Sequence, residues 1–334
     1  MNKKCRTGKK CRTGTPARLE TQESYLRRAG VPVLLRNSRR DFLCITAAAG
    51  LAALWPVQNH SADAAPCKRR SLDGVVGITT GGGLGQKAVR GELTLLTLPK
   101  YMREKLGMKL IDVNTRWFKS YEHAYLQRVR HAADAAGCYF TNLKVNHSFG
   151  DLYSRDADER QRAMSAGRQL IDAAQALGTR WIRFVVPKAA AANPVAHREL
   201  AVYAESHAIQ LLVENAGWIK QDPDGIVSVV KAIGRNVAPC PDTGNWSGGD
   251  VRQRGLRNSF PGAASCDFKV WELDADHRHA RYDLKQCFDI GWKAGFRGPW
   301  VIEHMRDDNN FARDTIYIRD LLTKWINQNK EQTP

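Results

Sequence analysis

From residue 75 onward, short runs rich in β-branched residues alternate regularly with longer segments of helical period. Eight such pairs follow one another, and this alternation predicts parallel strands that are each followed by a helix. Eight units in a chain of this size are typical of the α/β class and of a (β/α)8 barrel, the TIM barrel. We therefore predict a single-domain barrel over residues 73–327, with a doubly wound open sheet as the alternative.

The runs also predict where each element begins and ends. Strands are predicted at residues 75–80, 109–114, 139–146, 180–186, 209–214, 237–242, 266–272 and 300–304. Helices are predicted at residues 95–106, 121–136, 159–177, 194–207, 224–233, 284–294 and 311–326. Several of these helices end at a glycine, which accepts the left-handed backbone of a helix end. Two glycine-rich stretches, 81–85 and 248–262, are interpreted as loops.

The first 65 residues do not share this pattern. The basic hexapeptide Lys-Lys-Cys-Arg-Thr-Gly occurs twice in succession, so we interpret residues 1–37 as a disordered basic extension. Residues 38–65 resemble a twin-arginine signal peptide, because Ser38-Arg39-Arg40-Asp41-Phe42-Leu43 precedes a short apolar stretch and a small-residue cleavage site ending at Ala64. The signal implies the twin-arginine export machinery as a partner, a periplasmic or other extracytoplasmic location, and no stable membrane span after cleavage. A membrane anchor is the alternative.

The chain has a formal net charge of +17, from 51 Lys and Arg against 34 Asp and Glu. Much of the excess lies in the N-terminal extension, and the remaining bias is compatible with ordinary solubility. Basic stripes with interleaved aromatics, zinc-finger spacing and helix-turn-helix patterns are missing, so no nucleic-acid partner is expected. The sequence leaves the oligomeric state open.

Three of the predicted strands end in a carboxylate. Glu214 ends strand five, Asp242 ends strand six, and Glu303 lies near the end of strand eight. In a parallel barrel the C-terminal ends of all strands meet at one mouth, so these side chains are expected to converge there. Taken singly, a strand-end carboxylate is usually solvated or caps a helix. Three together require a cation, a shared proton or a basic partner, because like charges in a cleft repel.

Lys269 on strand seven is the basic candidate for this compensation. Because strand side chains alternate, Phe268 and Val270 point away from the face that carries Lys269, which would direct its ammonium into the mouth. The alternative is a Lys269 on the outer face that extends between helices.

Other polar and aromatic residues follow the strands. His147, after strand three, is a catalytic candidate, although a lone histidine there is as often structural. Five residues are candidates for substrate binding: Asn114, Trp117, Asn215, Asn245 and Trp246.

These segments together resemble the xylose isomerase-like barrel superfamily, which contains sugar-phosphate isomerases, epimerases and an endonuclease branch. The resemblance covers nearly all of residues 73–326. Its most specific pieces are residues 173–183, Leu212-Val213-Glu214-Asn215, Asp222-Pro223-Asp224, Asp242-Thr243-Gly244-Asn245, Phe268-Lys269, Tyr282-Asp283 and residues 295–303.

The resemblance implies one divalent metal ion, Mn, Mg, Co or Zn, held by Glu214, Asp242 and Glu303. It also implies that Glu214 and Glu303 exchange protons with adjacent carbons of a small carbohydrate while the ion polarises the carbonyl. Lys269 stands where many epimerases carry a histidine, and this departure leaves the metal open. The expected role of Lys269 is electrostatic stabilisation of the site.

The leading hypothesis is a sugar or polyol isomerase or epimerase. One alternative is a catalytically inactive, exported carbohydrate-binding barrel, suggested by Lys269 and by the tryptophans near the strand ends. A related lyase or a metal-dependent hydrolase is the other. An endonuclease is disfavoured, because the several histidine ligands of a multi-metal site are missing.

Overall fold

The computed structural model describes residues 70–331, so the predicted basic extension and signal peptide lie outside the described residues. Eight parallel strands form the sheet: β1 Val76–Thr79, β2 Leu110–Asn114, β3 Tyr139–Val145, β4 Trp181–Phe184, β5 Gln210–Val213, β6 Val237–Pro239, β7 Cys266–Val270 and β8 Trp300–His304. Each lies within the run predicted for it. Most end earlier, because the polar residues at their ends already belong to the loops of the mouth.

The strands are hydrogen-bonded in the order β6-β5-β4-β3-β2-β1-β8-β7. The two outer strands meet through an isolated parallel bridge between Asp242 and Asp267. Backbone hydrogen bonds support this bridge, since the Asp267 amide donates to the Pro241 carbonyl over 3.0 Å and the Thr243 amide donates to the Asp267 carbonyl over 2.9 Å. The sheet therefore closes on itself, which confirms the barrel over the open sheet.

Helices surround the barrel and alternate with the strands. They are α1 Gly82–Val89, α2 Leu98–Tyr101, α3 His123–Ala135, α4 Ala157–Leu177, α5 Ala189–Ala192, α6 Val195–Ser206, α7 Gly225–Ile233, α8 Gly249–Ser259, α9 Leu284–Lys293 and α10 Phe311–Glu331. A wider, π-type turn continues α2 over Met102–Leu106. The predicted glycine helix ends are confirmed at Gly178, which follows α4 with φ 77°, and at Gly107 with φ 66°.

The first glycine-rich stretch is not the predicted loop, because α1 begins at Gly82. A β-carbon at Gly82 would lie 2.2 Å from the His304 carbonyl oxygen, and one at Gly83 would lie 2.0 Å from that of Arg306. These glycines therefore serve the close packing of α1 against the chain that leaves β8.

The second glycine-rich stretch was also wrongly expected to be a loop, since it forms α8. Tertiary packing overrides its weak helix propensity. Gly255 and Leu256 are buried, and a β-carbon at Gly255 would lie only 2.5 Å from the Trp246 ring.

Side chains of the strands alternate between the barrel interior and the layer beneath the helices. On β7, Phe268 packs outward against Trp300, whereas Asp267 and Lys269 point inward and form ion pairs there. This confirms the predicted inward face of Lys269. An apolar layer lies inside the barrel below the charged groups, and it contains Leu110, Trp181, Leu212 and Val301. Within residues 70–331, none of the helices combines the length and apolar character needed to cross a bilayer.

Candidate active site

The structure brings Glu303, Asp242 and Lys269 into direct contact at the mouth. The Lys269 ammonium nitrogen lies 2.8 Å from Asp242 Oδ2 and 2.9 Å from Glu303 Oε2. It also donates a hydrogen bond of 2.6 Å to Asn245 Oδ1. The predicted convergence of strand-end carboxylates on Lys269 thus has a definite geometry, in which one ammonium meets three oxygens.

Glu214 joins this group from β5 through different cations. Its Oε2 atom lies 2.8 Å from Arg183 Nε and 3.8 Å from Lys144 Nζ. Its Oε1 atom accepts a hydrogen bond of 2.8 Å from the Asn245 side chain. Asn245 therefore links Glu214 to Lys269, because its amide donates to the first and accepts from the second.

A second buried ion pair lies deeper in the barrel, between Lys144 on β3 and Asp267 on β7. Both side chains are almost completely buried. Lys144, Arg183 and Asp267 were not among the predicted site residues. The clearest signal in the sequence was that of Arg183, a charged residue in a strand that is otherwise apolar.

The loop after β6 positions Asp242. Its Oδ1 atom accepts hydrogen bonds from the backbone amides of Gly244 and Asn245, over 2.7 and 2.9 Å. Asn215 is fully buried, and its amide group bonds the backbone nitrogen and oxygen of Asp242. Asn215 thus ties the end of β5 to the end of β6, so that Asp242 Oδ2 remains directed at Lys269.

The charges fix the protonation of the site. Burial alone would raise the pKa of Glu303, but the ammonium groups of Lys269 and Lys144 lower it to about 2. Burial would lower the pKa of Lys269, whereas Asp242 and Glu303 raise it well above its ordinary value. Both groups are therefore charged near neutral pH.

Asp242 and Glu214 respond differently to the same surroundings. Burial, together with the neighbouring carboxylates Glu303 and Glu214, raises the pKa of Asp242 to about 7, and Lys269 offsets part of that rise. For Glu214, burial is outweighed by Arg183 and Lys144, which lower its pKa. The carboxylates of one cluster are thus held at different acidities, a property common at catalytic sites.

A cleft of about 740 Å³ opens beside Glu303 at the mouth. Its walls include the predicted residues Asn114 and Trp117, together with the cations Arg116 and Lys119. The Trp117 indole nitrogen donates to the Thr80 carbonyl oxygen over 2.8 Å, and the Asn114 side chain accepts from the Arg116 amide over 3.0 Å. These bonds hold the wall in place, and the Trp117 ring contributes an edge to it while most of the residue is buried, with 6% exposed.

Two other predicted site residues lie outside the ion cluster. His147 lines a separate cavity of about 450 Å³, where its Nδ1 atom lies 2.9 Å from Thr115 Oγ1. Burial, and then Arg116, lower the pKa of His147, which favours the neutral ring. Trp246 is buried in the core against Gly255 of α8.

A group of acidic oxygens close enough to hold a metal ion comprises Glu214, Asp242 and Asp267, whose ligand atoms lie within 4.8 Å of one another. Two ammonium groups already lie among these oxygens, since Lys144 bonds Asp267 and Lys269 contacts Asp242. A divalent cation would share the same oxygens with both positive charges at contact distance. Glu214 Oε2, Asp242 Oδ2 and Asp267 Oδ1 are buried and accept no hydrogen bond from the described residues. The two ammonium groups beside them would nevertheless repel a divalent ion, so the side chains in this arrangement do not fit one.

Comparisons with known proteins agree with the barrel. No curated protein matches the chain significantly in sequence. Among solved structures, D-psicose 3-epimerase from Clostridium cellulolyticum H10 with D-tagatose is 15% identical, with a TM-score of 0.56 over 75% of this chain and 99% of that one. The 3-keto-D-glucoside 4-epimerase from E. coli is 12% identical, with a TM-score of 0.56 over 74% and 98%.

A third solved structure, a xylose isomerase-like TIM barrel protein from Mycobacterium smegmatis in complex with magnesium, is 18% identical. Its TM-score is 0.53 over 69% of this chain and 89% of that one. At such identities these similarities show the fold alone. The sequence itself matches the xylose isomerase-like TIM barrel family over residues 104–325, which is most of the barrel. The chain therefore belongs to the xylose isomerase-like TIM barrel family.

Proposed function

We propose that this protein is a sugar or polyol isomerase or epimerase that moves a proton next to a carbonyl group. The position of Glu303 carries this proposal, because its carboxylate lines the polar cleft and contacts Lys269. Its side chain is 15% exposed, compared with 6% for Glu214 and 0% for Asp242. Of the three carboxylates, Glu303 is the one that combines access to the cleft with a negative charge near neutral pH.

In the proposed reaction, Glu303 takes the proton from the carbon beside the carbonyl. The electron pair of that C–H bond forms a C=C bond, and the π pair of the carbonyl moves onto its oxygen, which gives an enediolate and a protonated Glu303. If the proton returns to the neighbouring carbon while the hydroxyl proton passes to the oxyanion, an aldose and a ketose are exchanged. If a proton returns to the original carbon from the other face, an epimer is formed.

Other residues of this site have supporting roles in the proposal. The Arg116 guanidinium lines the cleft and is the cation that would hold the oxyanion, while Asn114 would bind a hydroxyl group. The Trp117 ring would pack against the apolar face of a sugar. Glu214 has a positioning role. It contacts Arg183 and accepts a hydrogen bond from Asn245, and Asn245 in turn accepts one from Lys269.

The relatives in the fold support a carbohydrate substrate. Two of the similar solved structures are epimerases of D-psicose and of a 3-keto-D-glucoside. A polar cleft with an apolar ring in its wall suits a molecule of this kind, which has hydroxyl groups at its edges and C–H groups on its faces. No resident divalent ion enters the proposed reaction, because the described side chains do not fit one.

Proton exchange measured by NMR tests this function. The full-length protein is incubated in D₂O with a panel of aldoses, ketoses and polyol-derived ketones, and loss of the C–H signal beside the carbonyl is followed together with new sugar signals. We expect Glu303→Gln to abolish the exchange. The control Glu205→Gln makes the same change in a surface ion pair with Arg235, and this variant should retain proton exchange.

Two outcomes would contradict the proposal. Exchange that survives in Glu303→Gln would remove Glu303 from the role of base. Tight binding of a sugar without any exchange by the wild-type protein would instead favour a carbohydrate-binding barrel that has no catalytic activity.

We also propose that the protein works outside the cytoplasm after twin-arginine export. The Ser38-Arg39-Arg40-Asp41-Phe42-Leu43 motif supports this location. Replacing Arg39 and Arg40 by lysine is expected to leave the uncleaved chain in the cytoplasm, which fractionation and N-terminal sequencing would detect. Unchanged export of that variant would contradict the proposal.

A further inference from the structure

We propose that the Lys269 ammonium is a built-in replacement for a divalent cation, so that this family member works without a resident metal. The inference rests on the proposed function for its chemistry, although the arrangement itself stands on the geometry of the site. The Lys269 nitrogen lies 2.8 Å from Asp242, 2.9 Å from Glu303 and 2.6 Å from Asn245. An ammonium group has three N–H donors, and three oxygens surround this one.

The backbone of Lys269 is fixed on both sides. Its amide donates to Thr243 Oγ1 over 2.9 Å, and its carbonyl oxygen accepts from the Tyr282 hydroxyl over 2.6 Å. In the sheet, Lys269 pairs directly with Glu303 of β8. Two neighbouring backbone hydrogen bonds and the pairing with β8 therefore fix the point from which the Lys269 side chain extends.

The loop after β6 is shaped around the aliphatic stem of the lysine. A β-carbon at Gly244 would lie 2.9 Å from both Cβ and Cδ of Lys269. The stem thus passes directly over a residue without a side chain. The Lys269 side chain is only 6% exposed, so this packing leaves it little freedom to swing away from the carboxylates and admit a divalent cation.

The neighbouring charges balance most of this cluster, which holds four carboxylates and three cations. Glu214 contacts Arg183 at 2.8 Å, and Lys144 bonds Asp267, so each remaining carboxylate in this cluster has its own cation. Asp242 and Glu303 share Lys269. Lys144, Arg183 and Lys269 already pair with the carboxylates of this cluster. A divalent ion added here would be repelled by these three positive side chains.

Metal content tests the inference without any substrate. The full-length wild-type protein, Lys269→His and Asp242→Asn are dialysed against Mn²⁺, Mg²⁺, Co²⁺ or Zn²⁺, then against metal-free buffer, and their metal is measured by mass spectrometry. Manganese binding is also titrated by electron paramagnetic resonance. A matched control is Lys285→His, the same change at a partly exposed lysine outside the cluster, which is paired with Asp289.

We expect the wild type and Lys285→His to retain no stoichiometric metal. Lys269→His is expected to gain one equivalent of Mn²⁺, because it removes the ammonium and offers an imidazole nitrogen beside Asp242 and Glu303. One equivalent in the wild type that is lost in Asp242→Asn would overturn the inference. A folded Lys269→His that gains no metal would also overturn it, since the cage would then not be a cation site.

If Lys269→His does not fold, the wild-type metal content and the response of its thermal unfolding to Mn²⁺ decide the question alone. An unchanged midpoint without bound metal supports the inference, and a raised midpoint with bound metal overturns it. The result is separable from the proposed function. If the wild-type protein binds no metal and catalyses no proton exchange, only the proposed function is contradicted. If it binds metal and catalyses proton exchange, only the proposed replacement of the metal by Lys269 is contradicted.

Discussion

Gly81 faces Glu303 so closely that a β-carbon on residue 81 would lie 2.6 Å from Glu303 Oε1. The other carboxylate oxygen of Glu303 is held by Lys269 at 2.9 Å. The proposed base is thus confined between a glycine of the β1 loop and an ammonium of β7. This relationship makes the position of the carboxylate sensitive to a single added methyl group.

Gly81→Ala is expected to reduce turnover by roughly 10- to 100-fold with little loss of stability. The backbone of Gly81, at φ −75°, accepts alanine, so the methyl group acts mainly by displacing the carboxylate. Steady-state kinetics and thermal unfolding of the variant measure the two effects. The control Gly248→Ala adds the same methyl group where no atom lies within 4 Å. Normal turnover in Gly81→Ala would show that Glu303 need not occupy this position.

Lys144→Met is expected to lower the free energy of unfolding by about 3–5 kcal/mol, because it leaves the buried Asp267 without its cation. The double variant Lys144→Met with Asp267→Leu is expected to recover much of that loss, since both charges are then gone. Denaturant unfolding measures each variant. Lys100→Met, which breaks an exposed pair with Glu104, should cost less than about 1 kcal/mol. Additive effects of the two buried substitutions would contradict the coupling.

His197 on α6 predicts a pH dependence of stability. Burial lowers its pKa to about 4, and its Nδ1 atom lies 2.6 Å from the Tyr153 hydroxyl. Between pH 6.5 and 4 the unfolded chain binds a proton at this residue and the folded protein does not, so stability falls as the pH falls.

The part of this loss due to His197 is about 3 kcal/mol between pH 7 and pH 4, from the size of the pKa difference. His197→Gln keeps a polar group beside Tyr153 and cannot titrate, so its stability should depend less on pH over this range. Chemical unfolding at pH 7 and pH 4 for both proteins gives the comparison. His279, whose pKa burial also lowers to about 4, titrates in both and cancels. Identical losses in the two proteins would exclude His197 as a cause.

Gly255→Ala is expected to destabilise the protein by about 1–3 kcal/mol, because its methyl group would lie 2.5 Å from the buried Trp246 ring. Gly249→Ala is the control within the same helix, where no atom lies within 4 Å of the added carbon. It should be neutral or slightly stabilising. Thermal unfolding of the two variants checks whether Trp246 supports α8. Equal stability of both would contradict that role.

The barrel and its strand positions were predictable from the sequence because each unit repeats the same pattern of buried runs and helical period. The two errors of element type, at α1 and α8, have one cause. Glycine-rich segments lack intrinsic helix propensity, and only packing against His304, Arg306 and Trp246 makes them helical. Contacts of this kind join residues that are far apart in the chain, so local patterns do not reveal them.

The site was predictable where residues end strands, as with Glu214, Asp242 and Glu303. Lys144 and Arg183, which lie inside strands, were missed. The partner of Lys144 is Asp267, which lies across the barrel and 123 positions away in the chain, so no local pattern joins the two. The predicted roles of His147 and of the substrate-binding set stay predictions. The cleft does place Asn114 and Trp117 beside Glu303.

The bridge that closes the barrel joins Asp242 to Asp267, and both carboxylates belong to the charged cluster. The point where the barrel closes therefore coincides with the candidate catalytic centre. Mutations there change chemistry and barrel integrity together, which leaves natural selection little freedom at these positions. We expect divergence in substrate preference to proceed instead through the rim of the cleft, at exposed residues such as Gln86 and Lys119, which the barrel does not need for closure.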